Sequence, residues 1–353
     1  MKIIEVNLPN NNYKLVIEKG IIDNIGSHIL EGYKGDKIAI VTDENVDKFY
    51  GDIVEKSLQN QGFNTLKIVL KPGEKTKSMD QVMRLYDSLL DFGVNRGNLI
   101  IALGGGVIGD LTGFCASTFL RGIPYIQIPT SLLAQIDSSI GGKVAIDLPK
   151  GKNLVGSFYH PKAVYIDPEV LGTLEKRFLN DGLGEVIKYA LIKEKDLFSE
   201  LKGIHSEEEL LNHMENIIYR CCSIKKQVVE ADEKDTGERM ILNFGHTIGH
   251  GIEKLQNYEG LSHGEAVSVG MYCITLNSEK EGLTAGGTAE EVKNLLKKFN
   301  LPHKVEGIRK EDLIEVLAMD KKNIGKTMNL ILLKDIGEAF IHKVSGKEIE
   351  KFV

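Results

Sequence analysis

Five short runs of apolar, largely β-branched residues recur between positions 37 and 167: K-I-A-I-V-T-D (37–43), T-L-K-I-V-L-K (65–71), N-L-I-I-A-L (98–103), Y-I-Q-I-P (125–129) and A-V-Y-I-D (163–167). Near-continuous apolar segments of this length are the pattern of strands buried on both faces. Helical stretches near 45–61, 78–93 and 107–117 separate them, and such alternation implies a mostly parallel sheet with helices packed against it. Beyond Pro168 the texture changes to long periodic segments such as D-G-L-G-E-V-I-K-Y-A-L-I and E-E-L-L-N-H-M-E-N-I-I-Y-R-C-C-S-I-K-K, with few β-branched runs before N-L-I-L-L near 329–333. The expected architecture is an α/β domain over residues 1–175 followed by an all-helical domain over 176–353.

A chain of 353 residues suits two domains, because single cores stop growing near ~250 residues. No long linker separates the halves, so close packing with a binding cleft between them is expected. Lys and Arg number 44 against 50 Asp and Glu, and no block of like charge suggests a nucleic-acid arm or a membrane-surface helix. The four cysteines include an adjacent pair and no C-x-x-C, which argues against a disulfide framework or a zinc ribbon. With no apolar leader and no membrane-length span, the expectation is a cytoplasmic protein without nucleic-acid or membrane partners.

The strand at 98–103 runs into G-G-G-V-I-G-D, where Gly104, Gly106 and Gly109 satisfy G-x-G-x-x-G ahead of a helical pattern. Glycines let the backbone approach a pyrophosphate, and the following helix offers unpaired N–H groups. A tight turn of purely structural use is the rival, and the strand–turn–helix context favours a dinucleotide. No acid ends the next strand, where Thr130 and Ser131 stand. A carboxylate for the ribose must come from elsewhere, and Asp43 suits if its strand lies beside the glycine turn. Glu74 and Lys77, in P-G-E-K-T-K, are further candidates.

Arg121, Asp137, Lys143, Lys152 and Asn153 lie in or near glycine-rich segments, S-S-I-G-G-K-V-A-I-D and P-K-G-K-N-L-V-G. Glycine beside lysine is unhelpful to helix or strand but useful where backbone and ammonium approach an anion together. The carboxy-terminal half adds Glu185 and Lys188 one turn apart, then Lys225 and Arg239. Exposed loop charges are the bland alternative, and a local cationic set in an acidic protein suits a small anion. In N-F-G-H-T-I-G-H, His246 and His250 sit four apart on one helix face, and His263 opens the next helical run. Two imidazoles and a carboxylate leave open positions on a catalytic cation. Spacing nominates His246 and His250 as the pair. Thr247 stands where H-E-x-x-H requires glutamate, which excludes that peptidase chemistry.

Taken together, G-G-G-V-I-G-D, P-T-S-L-L-A-Q-I-D-S-S-I-G-G-K, G-K-N-L-V-G-S-F, G-E-V-I-K-Y, D-E-K-D-T-G-E-R, L-N-F-G-H-T-I-G-H and S-H-G-E-A-V make the whole chain resemble the 3-dehydroquinate synthase family. The resemblance implies an amino-terminal Rossmann-like domain, a helical carboxy-terminal domain, a homodimer, NAD and one divalent zinc or cobalt ion. It implies a reaction that turns 3-deoxy-D-arabino-heptulosonate 7-phosphate into 3-dehydroquinate and phosphate, by transient oxidation, phosphate β-elimination, re-reduction and intramolecular aldol closure. The implied metal ligands are Glu185, His246 and His263, which moves His250 to the substrate side. Implied NAD contacts are Asp43, Gly73, Glu74, Lys77, Gly105, Gly106, Val107, Asp110, Thr130, Ser131, Leu133, Asp137 and Thr173. Implied substrate contacts are Lys143, Asn153, Lys188, Lys225, Arg239, Asn243 and His250, with Arg121 near the phosphate and Lys152 near the nicotinamide. A further lysine is Lys321 or Lys322. Gly184 departs from the family's alanine before the metal glutamate, with an expected loosening of that helix. Rivals are another sugar phosphate cyclase of the 2-deoxy-scyllo-inosose synthase kind, a metal-dependent polyol dehydrogenase, and a non-catalytic NAD-binding regulator.

Overall fold

The computed structural model describes residues 1–9, 11–235, 237–324, 327–345 and 348–353, with the backbone alone for 318–324. Two compact units emerge: residues 1–175 with 211–234, and residues 176–210 with 235–353. Most of the long helix Glu207–Ala231 thus belongs with the first unit, although it lies well beyond residue 175.

The first unit is built on β1 (Lys2–Val6), β2 (Tyr13–Ile17), β3 (Lys37–Asp43), β4 (Asn64–Leu70), β5 (Leu99–Gly104), β6 (Tyr125–Pro129), the hairpin strands β7 (Lys143–Leu148) and β8 (Gly151–Phe158), and β9 (Ala163–Ile166). Seven of them form one sheet in the order β1-β2-β9-β6-β5-β3-β4. Only the β1–β2 pair is antiparallel. Alternate residues feed opposite faces. Ile38, Ile40, Leu99 and Ile101 enter one core, and Ala39, Val41, Ile100 and Ala102 enter the other. That two-sided burial is why these strands read as unbroken apolar runs.

From β3 the chain proceeds outward to β4, then returns to β5 on the other side of β3 and continues through β6 to β9. The order reverses between β3 and β5, so the carboxyl ends of these two strands flank a topological switch point, where ligands of open α/β sheets bind. Val41 pairs with Ala102, which brings Asp43 and Gly104 to the same edge. Helix Gly106–Thr118 starts directly from that edge.

One sequence expectation is corrected here. The glycine- and lysine-rich stretch is not loop: Lys143 opens β7, and Lys152 and Asn153 lie on β8, in an antiparallel hairpin. Its glycines serve close approach, since a methyl at Gly156 would meet the Val144 carbonyl oxygen at 2.4 Å.

Helices dominate the second unit, chiefly Lys176–Lys193, His246–Leu255, His263–Lys280 and Thr288–Lys298. It is not purely helical, because β10 (Thr327–Asp335) and β11 (Glu338–Ser345) add an antiparallel hairpin. Leu330, Ile331, Leu332 and Leu333 are all buried there, which accounts for the apolar run read in the sequence.

Candidate active site

Three helices of the second unit carry a cluster of donors. Glu185 lies at the centre of Lys176–Lys193, His246 opens the second helix and His263 opens the third. Close backbone approach sets their spacing. A methyl at Gly184 would lie 2.7 Å from the Gly264 carbonyl oxygen, and one at Gly270 would lie 2.1 Å from that of Gly245. Gly184, expected only to loosen its helix, therefore lets the His263 helix approach. Gly245 adopts φ 80°, a left-handed turn that starts the His246 helix and suits glycine.

The Glu185 side chain is buried, and its Oε1 has no hydrogen-bond partner. That oxygen faces His246 Nε2 at 3.6 Å and His263 Nε2 at 3.8 Å. These separations are too long for hydrogen bonds, yet ligand atoms about 2.1 Å from a tetrahedral cation stand about 3.4 Å apart. One donor atom from each of the three residues falls within 4.8 Å of the others. The orphaned carboxylate oxygen and the mixed N/O donor set fit a divalent cation such as zinc or cobalt. Glu185 Oε2 instead accepts from the buried ammonium of Lys188.

The His246 Nδ1–H donates to the Phe244 carbonyl at 3.1 Å, which leaves the Nε2 lone pair for a cation. Burial holds the His246 imidazole well below its ordinary pKa, helped by Lys188 and the neighbouring histidines. Burial also opposes charge on His263, but Glu253, Glu185 and Asp181 outweigh it and raise that imidazole to about 9. A cation held by this ring would displace a proton. His250 is exposed beside the cluster, its ring centroid 5.3 Å from that of His246 and 5.8 Å from that of His263. Spacing alone paired His246 with His250, and the Glu185 oxygen is met by His246 and His263 instead. Arg239 and Asn243 lie on the short helix that leads into His246, Arg239 buried and Asn243 exposed. The side chains of Lys321 and Lys322 lie outside the described residues.

In the first unit the glycine turn forms a cradle. A methyl at Gly105 would meet Ser131 Oγ at 3.3 Å, one at Gly106 would meet Ser138 Oγ at 3.0 Å, and one at Gly109 would meet Gln127 Oε1 at 2.7 Å. Val107 follows in the first turn of the helix and Asp110 in the next. The side-chain-free glycine backbone and the helix N-terminus fit a dinucleotide pyrophosphate. Thr130, Ser131 and Leu133 follow β6 on one side of the turn. On the other side Asp43 accepts from the Asn45 and Val46 amides, and burial raises its carboxyl.

The buried Lys77 ammonium donates to Asp110 at 2.6 Å and also to Asn153, so the Gly73–Glu74–Lys77 loop and β8 share one ion. Lys152 lies 3.7 Å from Glu74. Lys225 is buried and ion-pairs with Asp137, and Thr173 bonds Tyr50 at 2.7 Å. Arg121 takes φ 69° beside Gly122, and Lys143 is exposed at the start of β7. Sequence reasoning passed over Glu253, Asp181 and Ser138. For Glu253 a signal existed, because it follows His246 by seven residues, two turns along the same helix face.

Residues 67–181 match the model of the 3-dehydroquinate synthase N-terminal domain, and residues 182–323 match that of its C-terminal domain. The chain is 55% identical over 353 residues to the 3-dehydroquinate synthase of Clostridium acetobutylicum, covering 100% of this chain and 99% of the relative. Identity to the Enterococcus faecalis 3-dehydroquinate synthase is 46% over 350 residues, covering 99% and 98%. Among solved structures, 2-epi-5-epi-valiolone synthase from Streptomyces hygroscopicus, with NAD+ and Zn2+ bound, superposes with a TM-score of 0.88 at 26% identity, covering 98% of this chain and 96% of that one. A 2-deoxy-scyllo-inosose synthase complexed with carbaglucose-6-phosphate, NAD+ and Co2+ gives 0.88 at 25% identity, covering 99% and 98%. Matched along nearly its whole length by curated relatives and through both domain models, the chain belongs to the 3-dehydroquinate synthase family.

Proposed function

We propose that this protein converts 3-deoxy-D-arabino-heptulosonate 7-phosphate into 3-dehydroquinate and phosphate, using catalytic NAD and one divalent metal ion. The observation that carries the reading is the orphaned Glu185 oxygen facing two imidazole nitrogens, in a chain 55% identical to a 3-dehydroquinate synthase. When bound, NAD supplies a reversible hydride acceptor and the cation a Lewis acid at a substrate hydroxyl.

Glu185, His246 and His263 hold the cation in this reading. Its NAD contacts are Asp43, Gly73, Glu74, Lys77, Gly105, Gly106, Val107, Gly109, Asp110, Thr130, Ser131, Leu133, Asp137, Lys143, Lys152 and Thr173. Lys143, Lys225, Arg239 and Arg121 attract the carboxylate and phosphate, which their positive charge supports. Lys188 neutralises one Glu185 oxygen and directs the other toward the imidazoles, as the geometry of the pair supports. Asn153, Asn243 and His250 orient hydroxyls, and His250, exposed beside the cluster, moves protons to and from them. The free cysteines, three of them buried, support a reducing cytoplasm, and a homodimer is the expected assembly.

The test is phosphate release at catalytic NAD. Phosphate is expected to appear over many turnovers without accumulation of NADH. Stoichiometric NADH would identify a polyol dehydrogenase instead. Turnover of a glucose phosphate, with none of the heptulosonate phosphate, would favour a cyclase of the 2-deoxy-scyllo-inosose synthase kind.

A further inference from the structure

The helix His246–Leu255 presents a third group to the cluster besides its two histidines. Glu253 is buried, and its Oε1 lies 3.5 Å from His263 Nδ1, while the opposite nitrogen of the same ring faces Glu185. One imidazole is thus held between two carboxylates, one facing each ring nitrogen. Among the described residues, Glu253 also completes a second donor group, with His250 and His263.

We propose that Glu253 is a positioning residue for the third metal ligand: its carboxylate accepts a hydrogen bond from His263 Nδ1–H, which keeps the proton on that nitrogen and leaves the Nε2 lone pair on the Glu185 side. Three features support positioning over direct ligation. The Glu253 oxygen is aimed at Nδ1, whereas the orphaned Glu185 oxygen lies on the Nε2 side. Glu253 shares its helix with His246, so one rigid element supplies a ligand directly and steadies another through its partner ring. The His263 side chain is still 30% exposed at the helix start, where its ring needs a second contact to fix its rotation. A carboxylate behind a metal-bound imidazole raises ligand basicity, and its loss costs about 10- to 100-fold in metal affinity.

This inference rests on the assignment of Glu185, His246 and His263 as ligands, and the experiment separates the two. Cation dissociation constants are measured by chelator competition for the wild type and for Glu253→Ala, Glu253→Gln, His246→Ala and His263→Ala, with Co2+ absorption spectra of each. The expected result is about 10- to 100-fold weaker binding in Glu253→Ala with a spectrum of unchanged coordination number, and a smaller loss in Glu253→Gln, which keeps an acceptor for the Nδ1 proton. Unchanged affinity in both Glu253 variants overturns positioning. Complete loss in Glu253→Ala, with retention in His246→Ala, overturns it too and makes Glu253 a ligand of the His250–Glu253–His263 group. Retention in both histidine variants refutes the ligand assignment itself, whatever the Glu253 variants do. Thermal melting of the chelated proteins checks that each variant folds.

Discussion

The Gly264 amide donates a 2.5 Å hydrogen bond to the Asp181 carboxylate, and a methyl group added at Gly264 would stand 2.0 Å from the Asp181 carbonyl oxygen. The first turn of the His263 helix is therefore capped by a side chain from the Glu185 helix, at a separation that only glycine permits. The helices that carry Glu185 and His263 are locked together one residue away from His263. Gly264→Ala is expected to cost about 1–3 kcal/mol through overpacking against backbone and to weaken cation retention as His263 moves. Denaturant unfolding together with metal content after gel filtration checks both. Full retention with normal stability would show that the contact does not set the ligand spacing.

The buried pair of Lys188 and Glu185 makes a different prediction. Removing one partner of such a pair typically costs about 3–5 kcal/mol, because the other charge stays buried. A bound cation offsets part of that loss, so Lys188→Met is expected to destabilise the chelated protein more than the metal-loaded one. Melting temperatures with and without chelator read this as a wider gap than in the wild type. An unchanged gap would mean that Glu185 does not face the cation.

Asp110 gives the chain a pH dependence. Burial raises its carboxyl to about 6 against the pull of Lys77, whereas an unfolded aspartate titrates near ~3.9. Asp110, Glu74 and Asp147 outweigh the burial that opposes charge on Lys77 and raise its ammonium above the ordinary lysine value, so it stays protonated across this range. The folded state holds the Asp110 proton more tightly, so this group favours folding fully below about pH 4 and loses that contribution as pH rises through about 6. Wild-type stability relative to the Asp110→Asn variant is expected to fall between about pH 4 and pH 7. Urea unfolding of both proteins at several pH values checks the slope, and a flat difference would contradict it.

The cradle at the glycine turn predicts a binding defect without a folding defect. A methyl at Gly106 would approach Ser138 Oγ to 3.0 Å, at the first residue of the helix that follows β5. Gly106 is the first helical residue, where alanine's propensity gain falls short of its interior value of about 1 kcal/mol and is offset by the Ser138 contact, so stability is expected to change little. Gly106→Ala should instead weaken NAD binding by about tenfold, some 1.4 kcal/mol. Fluorescence titration with NADH measures it. Wild-type affinity would place the pyrophosphate elsewhere.

Five of the six parallel strands were legible because burial on both sheet faces demands unbroken apolar residues, and that demand is local in sequence. Gly104, Gly106 and Gly109 could be read for the same reason: strand, turn and helix are consecutive. The hairpin of Lys143 and Asn153 escaped notice, since its glycines serve cross-strand contact rather than any local preference. Spacing also left the choice of histidine open, and only the family resemblance named His263. Periodicity joins His246 to His250 on one helix, but whether His250 or His263 meets the Glu185 oxygen depends on how three helices pack. Gly184, Gly245, Gly264 and Gly270 decide that packing by where a side chain would collide. Sequence alone thus determined the layers, the glycine turn and the pool of possible ligands. Tertiary structure decided which nitrogen faces which oxygen, because distances of 3.5–3.8 Å between residues far apart in the chain are set by backbone contact and leave no periodic trace.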